Sequence, residues 1–410
     1  MKILMIAAGF LPYTFSENLC NGKLALALKE AGHQVSVITK KDEGPTYSEK
    51  WGYPWDSLEP DTHSIVYPVG TRLQRYIDLF KSGWISKYPF EGTRWVSRAI
   101  KLGKELLQKG KYDCILSRAP NDYNHVVGYH LSRYSRLPWI ANWNDPAAPI
   151  WPEPYKHHFP RWEQFAKDFF TRFLLKHSDC NTFPSVSLRD HFQEHYPFLK
   201  NARTEIIPHI GLIEKYFPTG PGPSKDGVLR LCHSGNLSEE RNPEALFRAL
   251  QHLDAEFQGK IQFDLLGRRT PICDALLGKY HLEHMVHFPG SFPYLEALKK
   301  MNAYDVLVLV EALMKKGIFF ASKIVDYAQL RKPILAISPR SGFAADMLGK
   351  YGMFVSDNTS EEHIYSSLKE IYRKFTINTL TGSEHLYDEF SPPNVVKRLE
   401  NVIAECRGRI

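Results

Sequence analysis

The stretch His233-Ser234-Gly235-Asn236-Leu237-Ser238-Glu239-Glu240-Arg241-Asn242-Pro243-Glu244 holds the residues best suited to chemistry. An apolar run ends there in a glycine turn, and a helix is expected to open with Asn242 as N-cap and Pro243 at its first position. Such a turn presents free backbone N–H groups, and the helix dipole adds partial positive charge beside them. Arg241, next to that opening, can grip a phosphate with two parallel hydrogen bonds. Together these features describe a diphosphate seat; the alternative is a well-capped surface helix with a solvated arginine. A second stretch is Phe320-Ala321-Ser322-Lys323-Ile324-Val325-Asp326-Tyr327-Ala328. Ser322 can cap a helix whose first turn carries Lys323, and a cation there opposes the helix dipole at a cost of about a few tenths of a kcal/mol. That placement points to an anion nearby. Asp326 lies close to the Lys323 face, where a carboxylate can accept from ribose hydroxyls. The alternative is an ordinary Lys/Asp pair on an exposed helix.

Alternating elements must position these residues. Short apolar, β-rich runs alternate with helical patterns from end to end, which indicates parallel sheets with helices on both faces. The spacing predicts strands at 2–8, 34–39, 64–69, 112–117, 138–143, 179–183 and 204–208, with helices at 19–31, 91–109, 122–135, 161–177 and 186–195. A Pro- and Gly-rich break at 217–227 follows. Strands are then expected at 228–234, 261–266, 285–288, 304–310, 333–338 and 352–355, and helices at 243–253, 271–280, 293–301, 322–330, 342–349, 361–374 and 394–405. The fold class is therefore α/β, with two doubly wound Rossmann-like domains facing a central cleft. The expected boundaries are an amino-terminal domain at 1–210, a linker at 211–227, a carboxyl-terminal domain at 228–385, and a final helix within 386–410 packing back on the first domain. Ligands in such sheets bind outside the carboxyl ends of the strands.

The 410 residues suffice for two cores of ordinary size. Hydrophobic residues at 43% and charged residues at 24% are ordinary for a soluble globular protein. The start, Met1 to Gly9, reads as a buried first strand, because its short apolar stretch runs into Pro12, Tyr13 and Glu17 without a cleavage site. No apolar run approaches the roughly 18 residues of a membrane-spanning helix. The six cysteines form no C-x-x-C pair, and reduced core thiols in a cytoplasmic protein are expected. The net charge of +7, concentrated in the first half, fits phosphate-bearing ligands or the anionic inner face of a membrane. It is too diffuse to imply a nucleic-acid partner.

Taken in order, the Ser-Gly-Asn-x(4)-Arg-Asn-Pro and Ser-Lys-Ile-x-Asp-Tyr-x(4)-Lys-Pro-Ile-Leu-Ala motifs resemble the carboxyl-terminal domain of GT-B glycosyltransferases of family 4. Gly22 to Thr39 is similar to the family's first helix and second strand, Ile207 to Pro218 to its interdomain crossing, and Phe288 to Phe292 to a later loop. The resemblance spans nearly the whole chain. It implies a nucleotide-diphosphate sugar as donor, retention of anomeric configuration, and no cofactor. The family's two diphosphate-holding basic positions fall on Asn236 and Arg241, so the first is not basic here. Its Glu-x(7)-Glu signature falls on Ile318 and Asp326, so the first acid is lost and the second is expected on the ribose. Lys323 matches a Ser-Lys variant found among members acting on lipid-linked or envelope glycans, and stands in for the missing positive charge. Gly235 and Ser322 belong to the same donor motifs. By the same likeness Gly267 with Arg268, and Gly290 with Phe292, border the nucleobase. The family's glycine pair near the first helix corresponds to Phe15-Ser16, so that loop must differ.

On the acceptor side, Arg118 and Asp145 each end a strand run, in Leu116-Ser117-Arg118-Ala119-Pro120-Asn121 and Asn142-Trp143-Asn144-Asp145-Pro146. Asp145 resembles the Arg-Asp-Pro turn of some family members, and Arg118 falls near where others carry a catalytic-site histidine; each is alternatively a turn or capping residue. The acceptor expected from the likeness is a glycan or a polyprenyl-diphosphate-linked glycan, with peripheral association to an anionic membrane. Neither His157-His158 nor His281/His284/His287 has metal-ligand spacing, so no metal is expected. The aromatic, basic helix 161–176 suits a membrane surface, although packing against the sheet is the favoured reading. Residues 43–62, with Trp51, Tyr53 and Trp55, read as an ordered surface insertion. Competing readings are a catalytically silent nucleotide-sugar-binding protein of the same fold and a nucleotide-sugar epimerase.

Overall fold

The computed structural model describes residues 1–13, 15–41, 51–66, 71, 73, 77, 93–119 and 122–408. By contact it divides into two compact units. The first is Met1–Pro152, Lys156–Ile213 and the tail from Pro392; the second is Glu153–Tyr155 and Glu214–Ser391.

In the first unit the apolar runs form β1 (Lys2–Ile6), β2 (Gln34–Lys41), β3 (Thr62–Val66), β4 (Cys114–Arg118), β5 (Trp139–Asn142), β6 (Cys180–Phe183) and β7 (Thr204–Ile206). They pair in the order β3-β2-β1-β4-β5-β6-β7, every neighbour parallel. The intervening helices are α1 (Ser16–Glu30), α2 (Thr93–Lys109), α3 (Tyr123–Ser135), α4 (Arg161–His177) and α5 (Val186–His195). The second unit repeats the plan with β8 (Leu229–Ser234), β9 (Ile261–Leu266), β10 (Val286–His287), β11 (Val306–Val310), β12 (Ile334–Ser338) and β13 (Phe354–Asp357), in the order β10-β9-β8-β11-β12-β13. Its helices are α6 (Glu244–Glu256), α7 (Pro271–Tyr280), α8 (Tyr294–Met301), α9 (Lys323–Gln329), α10 (Phe343–Lys350), α11 (Glu361–Thr376) and α12 (Glu384–Asp388), and α13 (Pro392–Arg407) closes the chain.

Parallel strands covered on both faces read as continuous apolar runs, and Val306–Val310 is buried at every position. Helices α6 and α11 pack Phe247, Leu250, Ile364 and Leu368 against that sheet. Each sheet reverses its strand order once, at β1/β4 and at β8/β11. Such reversals open a crevice at the carboxyl ends of the strands, which fixes where a ligand can reach the backbone.

Two sequence expectations change in detail. Of the linker expected at 211–227, residues up to Ile213 belong to the first unit and the rest to the second, where Asn302 Nδ2 donates to the Gly220 carbonyl at 2.8 Å. In the insertion at 43–62, residues 43–50 lie outside the described residues; Asp56–Asp61 forms a 3-10 turn that buries its own Leu58. The last helix, α13, buries Val395, Val396, Leu399, Val402 and Ile403. It is tied within the first unit by His33–Glu400 at 2.9 Å and Arg407–Asp113 at 2.8 Å.

Candidate functional site

Every donor-side residue expected from sequence lies beyond the carboxyl end of a strand in the second unit. Gly235 and Asn236 follow β8, Gly267 and Arg268 follow β9, Gly290 and Phe292 follow β10, and Ser322, Lys323 and Asp326 come after β11. The β8 turn is shaped by Gly235, whose φ of +123° is open to glycine alone. A Cβ there would collide with the Lys323 Nζ, so the amine lies directly against the Gly235 backbone. Gly267 is equally constrained, because a Cβ on it would strike the Gly235 carbonyl. The Arg268 N–H donates to Asn236 Oδ1 at 2.8 Å, pinning the β9 loop to the β8 loop. Asn236 therefore holds backbone, and the Arg268 side chain is exposed.

Tyr327 locks α9 onto the same turn. Its hydroxyl accepts from the Ser234 N–H at 3.0 Å and donates to the Val308 carbonyl at 3.3 Å. Tyr294, at the start of α8, donates to Asp326 Oδ1 at 2.7 Å, which brings the Gly290–Phe292 loop to α9. Phe292 is half-buried beneath Lys300, whose Nζ stands 4.3 Å from the ring centroid.

Two local expectations are corrected. Asn242 is not the residue before the helix: α6 starts at Glu244 after Pro243, and Asn242 Oδ1 accepts from the Glu244 N–H at 2.9 Å in an Asx turn. Ser322 does not cap α9, since its backbone is already helical (φ −56°, ψ −23°) and its side chain makes no capping bond.

The electrostatics single out three groups. Burial pushes the Lys323 amine down to about 7, Arg241 beside it acts in the same direction, and Asp326 opposes both. Glu311, which follows β11, is 8% exposed. Its removal from water raises the carboxyl to about 7 against the pull of Arg241. Its Oε2 lies 3.2 Å from the point a Cβ on Gly317 would occupy. His233 is kept neutral, chiefly by burial and then by Lys323. Its Nδ1 faces the Val308 carbonyl at 2.9 Å, while Nε2 is buried without a hydrogen bond. Lys323 and Arg241 thus repel each other close to two carboxyls, Asp326 and Glu311, and a bound diphosphate, with one negative charge on each phosphoryl group, would relieve that repulsion.

Sequence reasoning missed Glu311. The acid position it judged vacant, Ile318, is buried next to Gly317, and the chain brings Glu311 to that neighbourhood from seven residues upstream. Nothing local marks it, because its burial depends on the sheet.

In the first unit Arg118 ends β4 and Asp145 follows β5, and the structure brings them together around Glu17. Arg118 is 5% exposed, and its Nε donates to Asn21 Oδ1. Glu17 accepts from Asn144 Nδ2 at 3.0 Å and Asn21 Nδ2 at 3.2 Å. Burial raises its carboxyl to about 7, Arg118 lowers it, and Asp145 raises it further. Glu17 was also missed; its only signal was an acid in the first turn of α1, beside the loop where the expected glycine pair is replaced.

Among the described residues no group of three His, Cys, Asp or Glu side chains is arranged to hold a metal ion. His284 instead faces Asp254 at 2.8 Å, and His287 faces Asp264 at 3.3 Å.

Residues 20–209 match the family of glycosyl transferase 4-like domains. No curated protein matches the chain in sequence. Among solved structures, sucrose-phosphate synthase from Thermosynechococcus elongatus superposes with a TM-score of 0.69 at 14% identity, covering 100% of both chains. A glycosyltransferase from Rickettsia africae gives 0.68 at 14% identity, over 99% of this chain and 98% of that one. Anabaena HepE, solved with UDP and glucose, gives 0.65 at 16% identity, over 99% and 100%. At such identities the likeness is one of fold.

Proposed function

We propose that this chain, whose residues 20–209 match glycosyl transferase 4-like domains and whose fold is that of GT-B enzymes, is a glycosyltransferase that acts with retention of configuration and without a bound metal. The donor is a nucleotide-diphosphate sugar held by the second unit; HepE's complex with UDP and glucose supports a uridine nucleotide as the first to assay. The acceptor is a glycan or a polyprenyl-diphosphate-linked glycan, taken up by the first unit near Arg118, Asp145 and Glu17 at an anionic membrane.

The observation that carries this reading is the Lys323 amine pressed against Gly235 with Arg241 beside it. Breaking the sugar–phosphate bond develops negative charge on the departing diphosphate. Two cations fixed in a partly dry pocket stabilise that charge without reorganising. The negative diphosphate of the donor, bound beside Lys323, also favours the protonated amine, so the full positive charge is present when the bond breaks. Asp326 is assigned to the ribose and Glu311 to a hydroxyl of the donor sugar, where a carboxyl near its midpoint can donate or accept.

The test is a panel of nucleotide sugars, scored for slow hydrolysis and for transfer. Arg241→Ala and Lys323→Ala are each expected to slow turnover about 100- to 1,000-fold while leaving the melting temperature nearly unchanged. EDTA is expected to leave the rate intact. Near-normal rates in both variants would remove the phosphate seat, and a loss with EDTA restored by magnesium would remove the metal-free mechanism. Tight binding with no turnover would favour a silent binding protein, and conversion of the donor sugar without an acceptor an epimerase.

A further inference from the structure

Helix α4 presents two different faces. Phe170, Thr171, Leu174 and Leu175 are buried, so this face packs inside the first unit, beside α3 and the turn at Ala148–Ile150. On the outer side Trp162, Phe165 and Phe169 remain 66%, 72% and 57% exposed. These positions are three and four residues apart, so the rings form one stripe along the helix. Water-facing helix surfaces do not ordinarily carry contiguous large rings, and such patches mark a surface that meets something.

The charges around the stripe say what it meets. Glu163 is paired with Lys167 at 3.5 Å, and Asp168 with Arg172 at 3.4 Å. The acids of the helix are thereby answered from within it. Lys156, His157, His158 and Arg161 are exposed just before and at its first turn, and Lys176 is exposed in its last. A second copy of this chain docked symmetrically would set those cations against their own images. Three rings at these exposures also offer roughly 300–500 Å², short of the roughly 800 Å² per partner of a stable protein interface. An anionic lipid surface satisfies both requirements: headgroup phosphates meet the cations, and the interfacial layer admits the rings.

We propose that the Trp162–Phe165–Phe169 stripe docks the first unit on an anionic bilayer, with Lys156 and Arg161 on the lipid phosphates. This rests on the reading of the enzyme as one that serves a lipid-linked acceptor, and it names the surface that does so.

The experiment uses the full chain with vesicles of phosphatidylcholine alone or mixed with phosphatidylglycerol. The wild type is expected to sediment with the mixed vesicles and not with the neutral ones, and to be released by high salt. The Trp162→Ala/Phe165→Ala variant, and separately Arg161→Glu, are expected to lose about tenfold or more of that partition. Both should keep full donor hydrolysis in free solution, which also reports that they are folded. Failure of the wild type to sediment, or undiminished sedimentation of both variants, overturns the proposal. So does a wild-type dimer in light scattering that the aromatic variant converts to monomer. Vesicle binding without any donor hydrolysis would overturn the enzymatic reading and leave the surface standing.

Discussion

Lys323 is costly where it stands. Its amine is partly desolvated, sits next to Arg241, and has fallen to about 7. A protonated lysine favours an anionic donor, so kcat/KM is expected to decline as pH rises through about 7, and Lys323→Arg should move that limb far to the alkaline side. A pH profile of donor hydrolysis checks this; an unmoved limb would assign it to another group. Glu17 and Glu311 make a second, opposite statement. Folded, both hold their protons to about 7, above their ordinary value of 4.5. Their contribution to stability is complete below the unfolded value and is lost as pH rises through the folded one. Urea unfolding at about pH 5 and about pH 8 should therefore show a decline that shrinks in the Glu17→Gln/Glu311→Gln variant. A decline as steep in the variant as in the wild type would place those carboxyls in water. Arg241 and Lys323 were legible in the sequence because each sits in a local motif. Glu17 and Glu311 were not, because burial is conferred by residues far away in the chain.

Elements hold these side chains through a few backbone contacts. The Tyr327 hydroxyl joins α9 to the end of β8 through the Ser234 N–H, so the phenol sets how closely Lys323 approaches Gly235. Tyr327→Phe should leave that N–H unpaired at a cost of about 1–3 kcal/mol and raise the KM for the donor. A thermal melt together with donor kinetics tests it, and a destabilised variant with unchanged KM would limit Tyr327 to a structural role. The strand and helix order was readable from apolar runs of two periods, and most boundaries fall within about two residues of expectation, as fraying ends allow. The capping chemistry was read less well. Asn242 forms an Asx turn instead of a cap because the helix starts one residue later than expected, and Ser322 is already helical. Which residue begins a helix depends on how the preceding loop is held, and here Tyr294, Asp326 and Tyr327 hold it.

The described residues form two sheets, and the last helix belongs to the first of the two units. Removing residues from Pro392 onward would uncover the apolar contacts of Val395, Val396, Leu399 and Ile403. Hydrogen exchange should then quicken in β1–β7 and stay slow in β8–β13; equal loss in both would mean that α13 supports the whole chain. The amino-acid sequence by itself determined the α/β class, the two-domain division and the two cationic stretches, since hydrophobic period and turn chemistry are local properties. Only the tertiary structure decided that Lys323 lies against Gly235, that Glu311 comes to the neighbourhood of Ile318, and that Trp162, Phe165 and Phe169 are left in water. Those outcomes depend on which strands become neighbours, and strand order follows from packing over long separations that no short stretch of sequence encodes.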